Sequence, residues 1–280
     1  MSLSWRKQLL AVLSPDAVDY AVSPRPGRRK TLALQGRVAS PDSGQAAARW
    51  RGAVVALAEV LGNTKARNAD CNIVLSNHFV RSQILAWNDA FKNTRQFEAL
   101  ARARFRALHG AVADSWDVRL GQLQYGMPTI ACAVDAALIS ELEALVTKDG
   151  NRLASVQPYF STTFDRYRSP VRAAAWWFVC LEPGRLWLGR LANGVWSGIS
   201  SRVIGKRPVE ETLQALAQEM AAAVADRAGR AEPVHAAVTG LQRAEVQALK
   251  DAGLSVRELR IGDFLSVNNF GVGNRPAEVV

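Results

Sequence analysis

Apolar residues along the chain fall into short β-type runs and longer stretches with helical spacing. Residues 9–13 and 18–22 are β-type runs joined by Ser14-Pro15-Asp16-Ala17, a composition that predicts a tight hairpin. Prolines and a glycine make residues 24–30 a loop, and residues 31–38 suit a third strand. Trp50, Val54, Leu57 and Leu61 then recur at i, i+4, i+7 and i+11, one face of an amphipathic helix that Gly62-Asn63 should end. Residues 72–75 read as a fourth strand.

A different unit follows. Residues 79–87 read as a strand, and Phe97, Ala101, Phe105 and Leu108 as the inner face of a helix stopped at Gly110. Arg95, Arg102 and Arg106 occupy the opposite side of that helix. Residues 118–125 and 129–134 are predicted strands around the turn Gly126-Met127-Pro128. Asp135 stands where an N-cap belongs, ahead of the stripe Leu138, Leu142 and Leu145. Residues 153–157 suit a strand and residues 159–167 a short helix.

After Ser169-Pro170 the first pattern returns. Residues 173–181, 185–191 and 195–203 are three strands, with Asn193-Gly194 a strong hairpin signal. Trp176-Trp177 place one ring on each side of the first of these. Pro208 opens a helix with the stripe Val209, Leu213, Leu216, Met220 and Val224. Residues 234–238 are a strand, 245–252 a helix and 254–259 a last strand. Three strands, a helix and a fourth strand thus occur twice, in residues 9–75 and 173–238. A helical crossover makes parallel neighbours, so each half should be a mixed sheet bearing helices, with a cleft between two lobes.

Composition narrows the possible chemistry. With 280 residues, 49% hydrophobic and 21% charged, the chain is globular and long enough to bury a large core. Cys71, Cys132 and Cys180 are dispersed and odd in number, which suits reduced core thiols, and three scattered histidines leave little for a zinc site. Arg6 and Lys7 before an apolar run mimic a secretory signal, but the run breaks at Ser14-Pro15-Asp16, so a strand is expected. Residues 173–181 fall well short of the roughly 20 apolar residues of a membrane span. The net charge of +10, mostly from before Pro170, suits an acidic partner: lipid headgroups, nucleic acid or an acidic protein surface. No phosphate-binding P-loop or Gly-x-Ser-x-Gly elbow is present, and the Gly271 and Gly273 pair does not open a helix. Asp16 and Asp135 are too few for a carboxylate-metal nuclease. Arg95, Arg102, Arg104 and Arg106 with Trp116 would suit nucleic acid, but Phe97 and Phe105 read as core.

The repeated order resembles the actin-like ATPase superfamily of actin, heat-shock chaperones and sugar kinases. That family implies an α/β, actin-like (RNase H-like) fold of duplicated βββαβ lobes with mixed sheets. The chain is most similar to the actin-like proteins of type IV pilus and type II secretion platforms (PilM-like, MshI-like and GspL-like). Local matches include Ile73-Val74-Leu75-Ser76 leading into Phe79-Val80-Arg81. The resemblance implies a first lobe over 1–170 with a small subdomain inserted at about 77–134, a second lobe over 171–263 and a tail over 264–280.

Active members carry an Asp-x-Gly turn between the first two strands of each lobe, where backbone N–H groups approach phosphate. Here the first turn is Leu13-Ser14-Pro15-Asp16-Ala17, without glycine, and the second is Leu181-Glu182-Pro183-Gly184-Arg185. The adenosine-side turn, usually with two glycines, is Val238-Thr239-Gly240-Leu241. Asp16, Glu182, Gly184 and Gly240 are therefore either a vestigial nucleotide site with weak Mg-ATP affinity or ordinary turn residues. By resemblance, the chain would be a scaffold rather than an enzyme, with no required cofactor, cytoplasmic and peripheral at the inner membrane. It would dock the cytoplasmic segment of a pilus or secretion platform protein and contact the assembly motor ATPase, with Arg81, Arg102 and Arg106 contributing charge. Nucleic acid is not the expected partner. The alternatives are a divergent kinase or ATPase of the same superfamily and a basic nucleic-acid-binding module.

Overall fold

A computed structural model of the chain describes residues 6–23, 34–42, 48–91, 93–167, 175–204, 211, 234–238, 243–251 and 253–258. The expected loop at 24–30, nearly all of the helix after Pro208, Gly240 and the tail lie outside these residues. The chain opens with β1 (Lys7–Leu13), β2 (Ala17–Ser23), β3 (Leu34–Ala39), α1 (Arg51–Thr64) and β4 (Ala69–Leu75). The inserted unit holds β5 (Val80–Leu85), α2 (Thr94–His109), a 3-10 turn Gly110–Ser115, β6 (Trp116–Leu120) and β7 (Thr129–Asp135). Then come α3 (Ala136–Thr147), β8 (Arg152–Pro158) and α4 (Tyr159–Tyr167). The second half holds β9 (Ala175–Glu182), β10 (Arg185–Ala192), β11 (Val195–Val203), β12 (Val234–Val238), α5 (Arg243–Asp251) and β13 (Ser255–Glu258).

The two large sheets have one topology. The first runs β3-β2-β1-β4-β8 and the second β11-β10-β9-β12-β13, while β5-β7-β6 form a separate small sheet. In both large sheets the first three strands are antiparallel neighbours, and the fourth lies parallel to the first. Ser14 closes the first hairpin: its Oγ donates to the Ala17 carbonyl at 2.8 Å and accepts the Ala17 N–H at 3.1 Å. Asn193 and Gly194 take positive φ of 52° and 77°, as a tight two-residue hairpin requires. Every position of β4 is buried, which fits a central parallel strand covered on both faces.

Leu9, Leu57, Ile73 and Leu142 belong to a single core that continues into Trp176, Phe178 and Trp187 of the second sheet. Trp177, Val179, Leu181 and Val238 form a second core with Val246 and Leu249 of α5. Trp176 and Trp177 thus enter different cores, as period-two alternation demands.

Three local expectations need correction. Helix α1 does not stop at Gly62: it runs to Thr64, and Lys65, left-handed at φ 46°, donates its N–H to the Gly62 carbonyl at 3.3 Å. A helical glycine costs only about 1 kcal/mol, less than burial of Leu57, Val60 and Leu61 returns. The strand expected at 118–125 is shorter and earlier. β6 pairs with β7 from Trp116 to Leu120, and after Gly121 donates to Ile130 the chain leaves the ladder. Leu108 is 70% exposed, because Phe97, Ala101 and Phe105 already complete the face that α2 turns to its sheet.

Asp135 caps α3 by accepting the Ala137 N–H at 3.0 Å on Oδ1, and its Oδ2 accepts the indole N–H of buried Trp50 at 3.0 Å. Asp135→Ala should remove the cap and strand a buried donor, lowering stability by about 2–3 kcal/mol in urea unfolding. Asp135→Asn, which keeps one acceptor oxygen, should lose roughly half as much; equal losses for both variants would contradict the double role.

Candidate functional site

The two hairpin turns expected to face a nucleotide meet through residues 76–78, the segment that carries the chain from β4 into the inserted unit. The Ser76 N–H donates to the Leu13 carbonyl at 2.9 Å, which ties this segment to the end of β1. Asn77 is buried and makes three hydrogen bonds. Its backbone N–H donates to Glu182 Oε1 at 2.9 Å and its Nδ2 to Cys180 Sγ at 3.4 Å, while its Oδ1 accepts the Phe160 N–H at 3.3 Å. His78 Nε2 donates to the Pro183 carbonyl at 2.9 Å. Residues 77 and 78 therefore engage Cys180, Glu182 and Pro183, the end of β9 and the start of the second turn.

Glu182 is 4% exposed. Burial raises its carboxyl above the usual range, opposed by hydrogen bonds from Ser76 and Asn77 and by the charge of Arg185. Gly184 completes the turn at φ 74°, a conformation that favours glycine. Asp16 is exposed at the first turn, and its carbonyl accepts the Ser40 N–H at 2.9 Å. The seam brings Asp16 close enough to act on His78, whose ring burial holds below the usual histidine range. Of the four expected nucleotide residues, Asp16, Glu182 and Gly184 thus gather around His78, while Gly240 lies outside the described residues.

The three arginines assigned to a partner surface have different settings. Arg81 is half-buried beside this seam, donating Nη1–H to the His78 carbonyl at 3.2 Å. Arg102 and Arg106 are exposed on α2; Arg102 donates to the Trp116 carbonyl at 3.2 Å, and Arg106 lies 3.7 Å from Asp114. The inserted unit also carries a pocket lined by Trp87, Phe91, Phe97, Leu123 and Tyr125, with Tyr125 83% exposed.

The lobes are further joined by aromatic packing of α4 on the second sheet. Phe160 stacks on Trp187 with centroids 4.2 Å apart, and Phe164 lies 5.6 Å from Trp176 and 4.5 Å from Trp196. Gly189 makes room for this, since a Cβ there would overlap the rings of Trp187 and Trp196. Nucleophilic chemistry finds little support at the cysteines. Burial pushes the Cys71 and Cys132 thiols up to about 12, and Cys180 is raised well above its ordinary value. Among the described residues, no three His, Cys, Asp or Glu side chains group as a metal site would need.

Asn77, His78 and Arg185 were not singled out from the sequence. The available signal was Ser76-Asn77-His78, three polar residues set between an apolar strand and Phe79-Val80.

No protein-family model matches the chain, and no curated protein matches it in sequence. Solved structures do. A protein of actin-like ATPase fold and unknown function from Bacteroides thetaiotaomicron matches at TM-score 0.61 and 13% identity, covering 94% of this chain and 97% of that one. The PilM-PilN type IV pilus biogenesis complex matches at TM-score 0.63 and 10% identity, covering 90% and 88%. The cytoplasmic domain of EpsL, an inner membrane component of the type II secretion system of Vibrio cholerae, matches at TM-score 0.55 and 12% identity, covering 93% of both chains. At these identities the likeness is one of fold: the chain has the actin-like ATPase fold.

Because burial raises the folded-state pKa of Glu182, its contribution to stability is full below the ordinary value of 4.5 and is lost as pH rises through the folded value. Glu182→Gln keeps an acceptor for Asn77 and removes that loss. Its melting temperature should exceed the parent's above pH 4.5, with a gap that widens until the parent carboxyl has ionised. Glu182→Ala should instead cost about 1–3 kcal/mol by stranding the Asn77 N–H. Parallel pH profiles for parent and Glu182→Gln would refute the assignment.

Proposed function

We propose that the chain is a non-catalytic actin-like scaffold of a bacterial pilus or secretion platform, in which the ancestral nucleotide cleft serves as an interlobe joint. The observation that carries this reading is the contact between Glu182 and Asn77. An acidic residue at the second phosphate turn would have to face metal-bound water to support ATP chemistry. Here one of its oxygens is already committed to the backbone N–H of Asn77. Pro15 and Pro183 reinforce the reading, since neither turn can present an N–H at those positions. Each lost phosphate donor would remove transition-state stabilisation on the order of 3 kcal/mol.

The fold likeness to EpsL and to PilM in its complex with PilN supports placing the work in protein docking. The chain would sit in the cytoplasm against the inner membrane and hold the cytoplasmic segment of a platform protein, with the assembly motor ATPase as a further contact. The aromatic pocket of the inserted unit, with exposed Arg102 and Arg106 on the same unit, suits an extended peptide bearing acidic residues.

With Mg-ATP, phosphate release should stay at the buffer rate and be unaffected by Asp16→Ala. Turnover that Asp16→Ala abolishes would establish the kinase or ATPase reading instead. Cytoplasmic peptides of single-span membrane proteins encoded beside this gene should bind. Arg102→Glu with Arg106→Glu should weaken that binding roughly threefold at low salt and reduce its salt sensitivity. Peptide affinity unchanged by the reversals at every salt concentration would remove those arginines from the docking surface.

A further inference from the structure

The end of the first sheet away from the interlobe joint gathers basic residues from three stretches of chain. β1 runs from Lys7 to Leu13, whose carbonyl is bonded to Ser76 at the joint, so Lys7 lies about 20 Å away along the strand at roughly 3.3 Å per residue. Lys7 pairs with Ala69, the first residue of β4, and Asp70 pairs with Arg152, the first residue of β8. The three strands are parallel, so their starts share this end. Helices α1 and α3 finish here as well, because residues 65–68 carry α1 into β4 and residues 148–151 carry α3 into β8. Asn151 is buried and fastens the two connections together. Its Oδ1 accepts the Ala69 N–H at 2.9 Å, and its Nδ2 donates to the Ala66 carbonyl at 2.9 Å.

Lys7, Lys65, Arg67 and Lys148 are exposed at this end. Among the described residues, none of the four side chains takes part in a hydrogen bond or an ion pair. Arg152 does: its Nε–H donates to Asp70 Oδ1 at 2.9 Å, and Gln8 Nε2 donates to the other Asp70 oxygen at 3.3 Å. Asp70 is therefore taken up by Arg152, and Asp149 is the exposed acid of the two connections. The dipoles of α1 and α3 favour cations just past their C-termini, which accounts for Lys65 and Lys148 but not for Lys7 or Arg67. The β2–β3 connection starts from the same end. Ser23, where it leaves, pairs with Gln8, and Leu34, where β3 begins, pairs with Val22. In sequence it holds Arg25, Arg28, Arg29 and Lys30 and no acid.

We propose that this end of the first sheet is a lipid-contact face, with Lys7, Lys65, Arg67 and Lys148 meeting the anionic headgroups of a bilayer. Headgroups attract each nearby cation separately and demand no fixed shape, which suits charges spread over strand starts and short connections rather than gathered in a pocket. Nucleic acid fits less well. Residues 65–68 and 148–151 offer no aromatic ring for a base to stack on. The helices also end here, so no first helical turn is presented to a groove or a phosphate. A protein interface would carry an apolar or aromatic centre. The exposed side chains here are instead Lys7, Lys65, Arg67, Asn68, Lys148 and Asp149. Contact at this end leaves the joint, at the far end of β1, clear of the bilayer. The inference rests on the scaffold reading only for placing the chain beside a membrane.

The test mixes the full chain with vesicles of phosphatidylcholine alone, or of phosphatidylcholine with phosphatidylglycerol, and reads the bound share by flotation over a salt series. The chain should bind only the vesicles that contain phosphatidylglycerol, and more weakly as salt rises. Arg67→Gln and Lys148→Gln remove exposed, unpaired charges, so both should keep the parent's melting temperature. Each should lower vesicle affinity about fivefold, and the two together roughly twentyfold. Taking the same charge from the exposed Arg243 and Arg257 in the second half, as Arg243→Gln with Arg257→Gln, should change it by less than about twofold. The proposal is overturned if both vesicle types bind alike, if neither binds, or if the two double variants weaken binding equally. It is also overturned if a random-sequence DNA duplex binds more tightly than the phosphatidylglycerol vesicles and loses that affinity in the Arg67 and Lys148 double variant, which would assign the face to nucleic acid. Peptide docking without vesicle binding would leave the scaffold standing and end this proposal, whereas vesicle binding without peptide docking would do the reverse.

Discussion

Desolvation of polar groups between the two sheets is the constraint on which this molecule turns. Asn77 and Glu182 are both nearly inaccessible, and a buried carboxyl or amide is tolerated only when its hydrogen bonds are made. Asn77 makes them in three directions: to Glu182 and Cys180 on β9, and from the first residues of α4. Pulling the lobes apart would leave the Asn77 N–H, the Asn77 amide and the Glu182 carboxyl without these partners until water reached them. The stacked pair Phe160 and Trp187 and the contacts of Phe164 add apolar area to the same joint. Polar specificity and aromatic burial therefore favour a single relative placement of the sheets.

That joint bears directly on chemistry. A nucleotide cleft needs backbone donors and acidic groups held open for a ligand. In this chain several polar groups of the corresponding turns are bonded within the protein. Ser14 satisfies both polar atoms of Ala17 in the first, and His78 takes the Pro183 carbonyl in the second. Among the described residues, the Arg185 Nε–H beside this turn is buried without a hydrogen-bond partner.

Much of the architecture was legible because it is local. Alternation gave the strands, Asn193-Gly194 its hairpin, and Asp135 its helix, each from residues within a few positions. Trp176 and Trp177 could be assigned to opposite faces from period two alone. Where the reading failed, a longer-range balance decided. Gly62 looked like a stop signal, but core burial on the neighbouring turns carried α1 past it. Leu108 matched the inner stripe of α2, yet the face was already complete at Phe105. The site was less legible still. The sequence marks Asp16, Glu182 and Gly184 as either a vestigial nucleotide site or turn residues, but the partners of Glu182 and Gly184 lie about a hundred positions earlier, at Asn77 and His78. No periodicity connects them, because the contact exists only once both sheets have formed.

The insertion explains why this joint arises in the first half of the chain. In both large sheets the fourth strand ends beside the first, so a chain leaving β4 emerges next to the first hairpin turn. In the second half, β12 is followed by α5 and β13 within the same sheet. In the first half, β4 leads instead through Ser76, Asn77 and His78 into β5, which belongs to the small sheet and lies beside β11. That route carries the chain across the end of β9 and requires polar residues that can bond its exposed backbone and carboxyl groups. The duplicated topology is symmetric, but the insertion is not, and the asymmetry places Asn77 and His78 over the second turn.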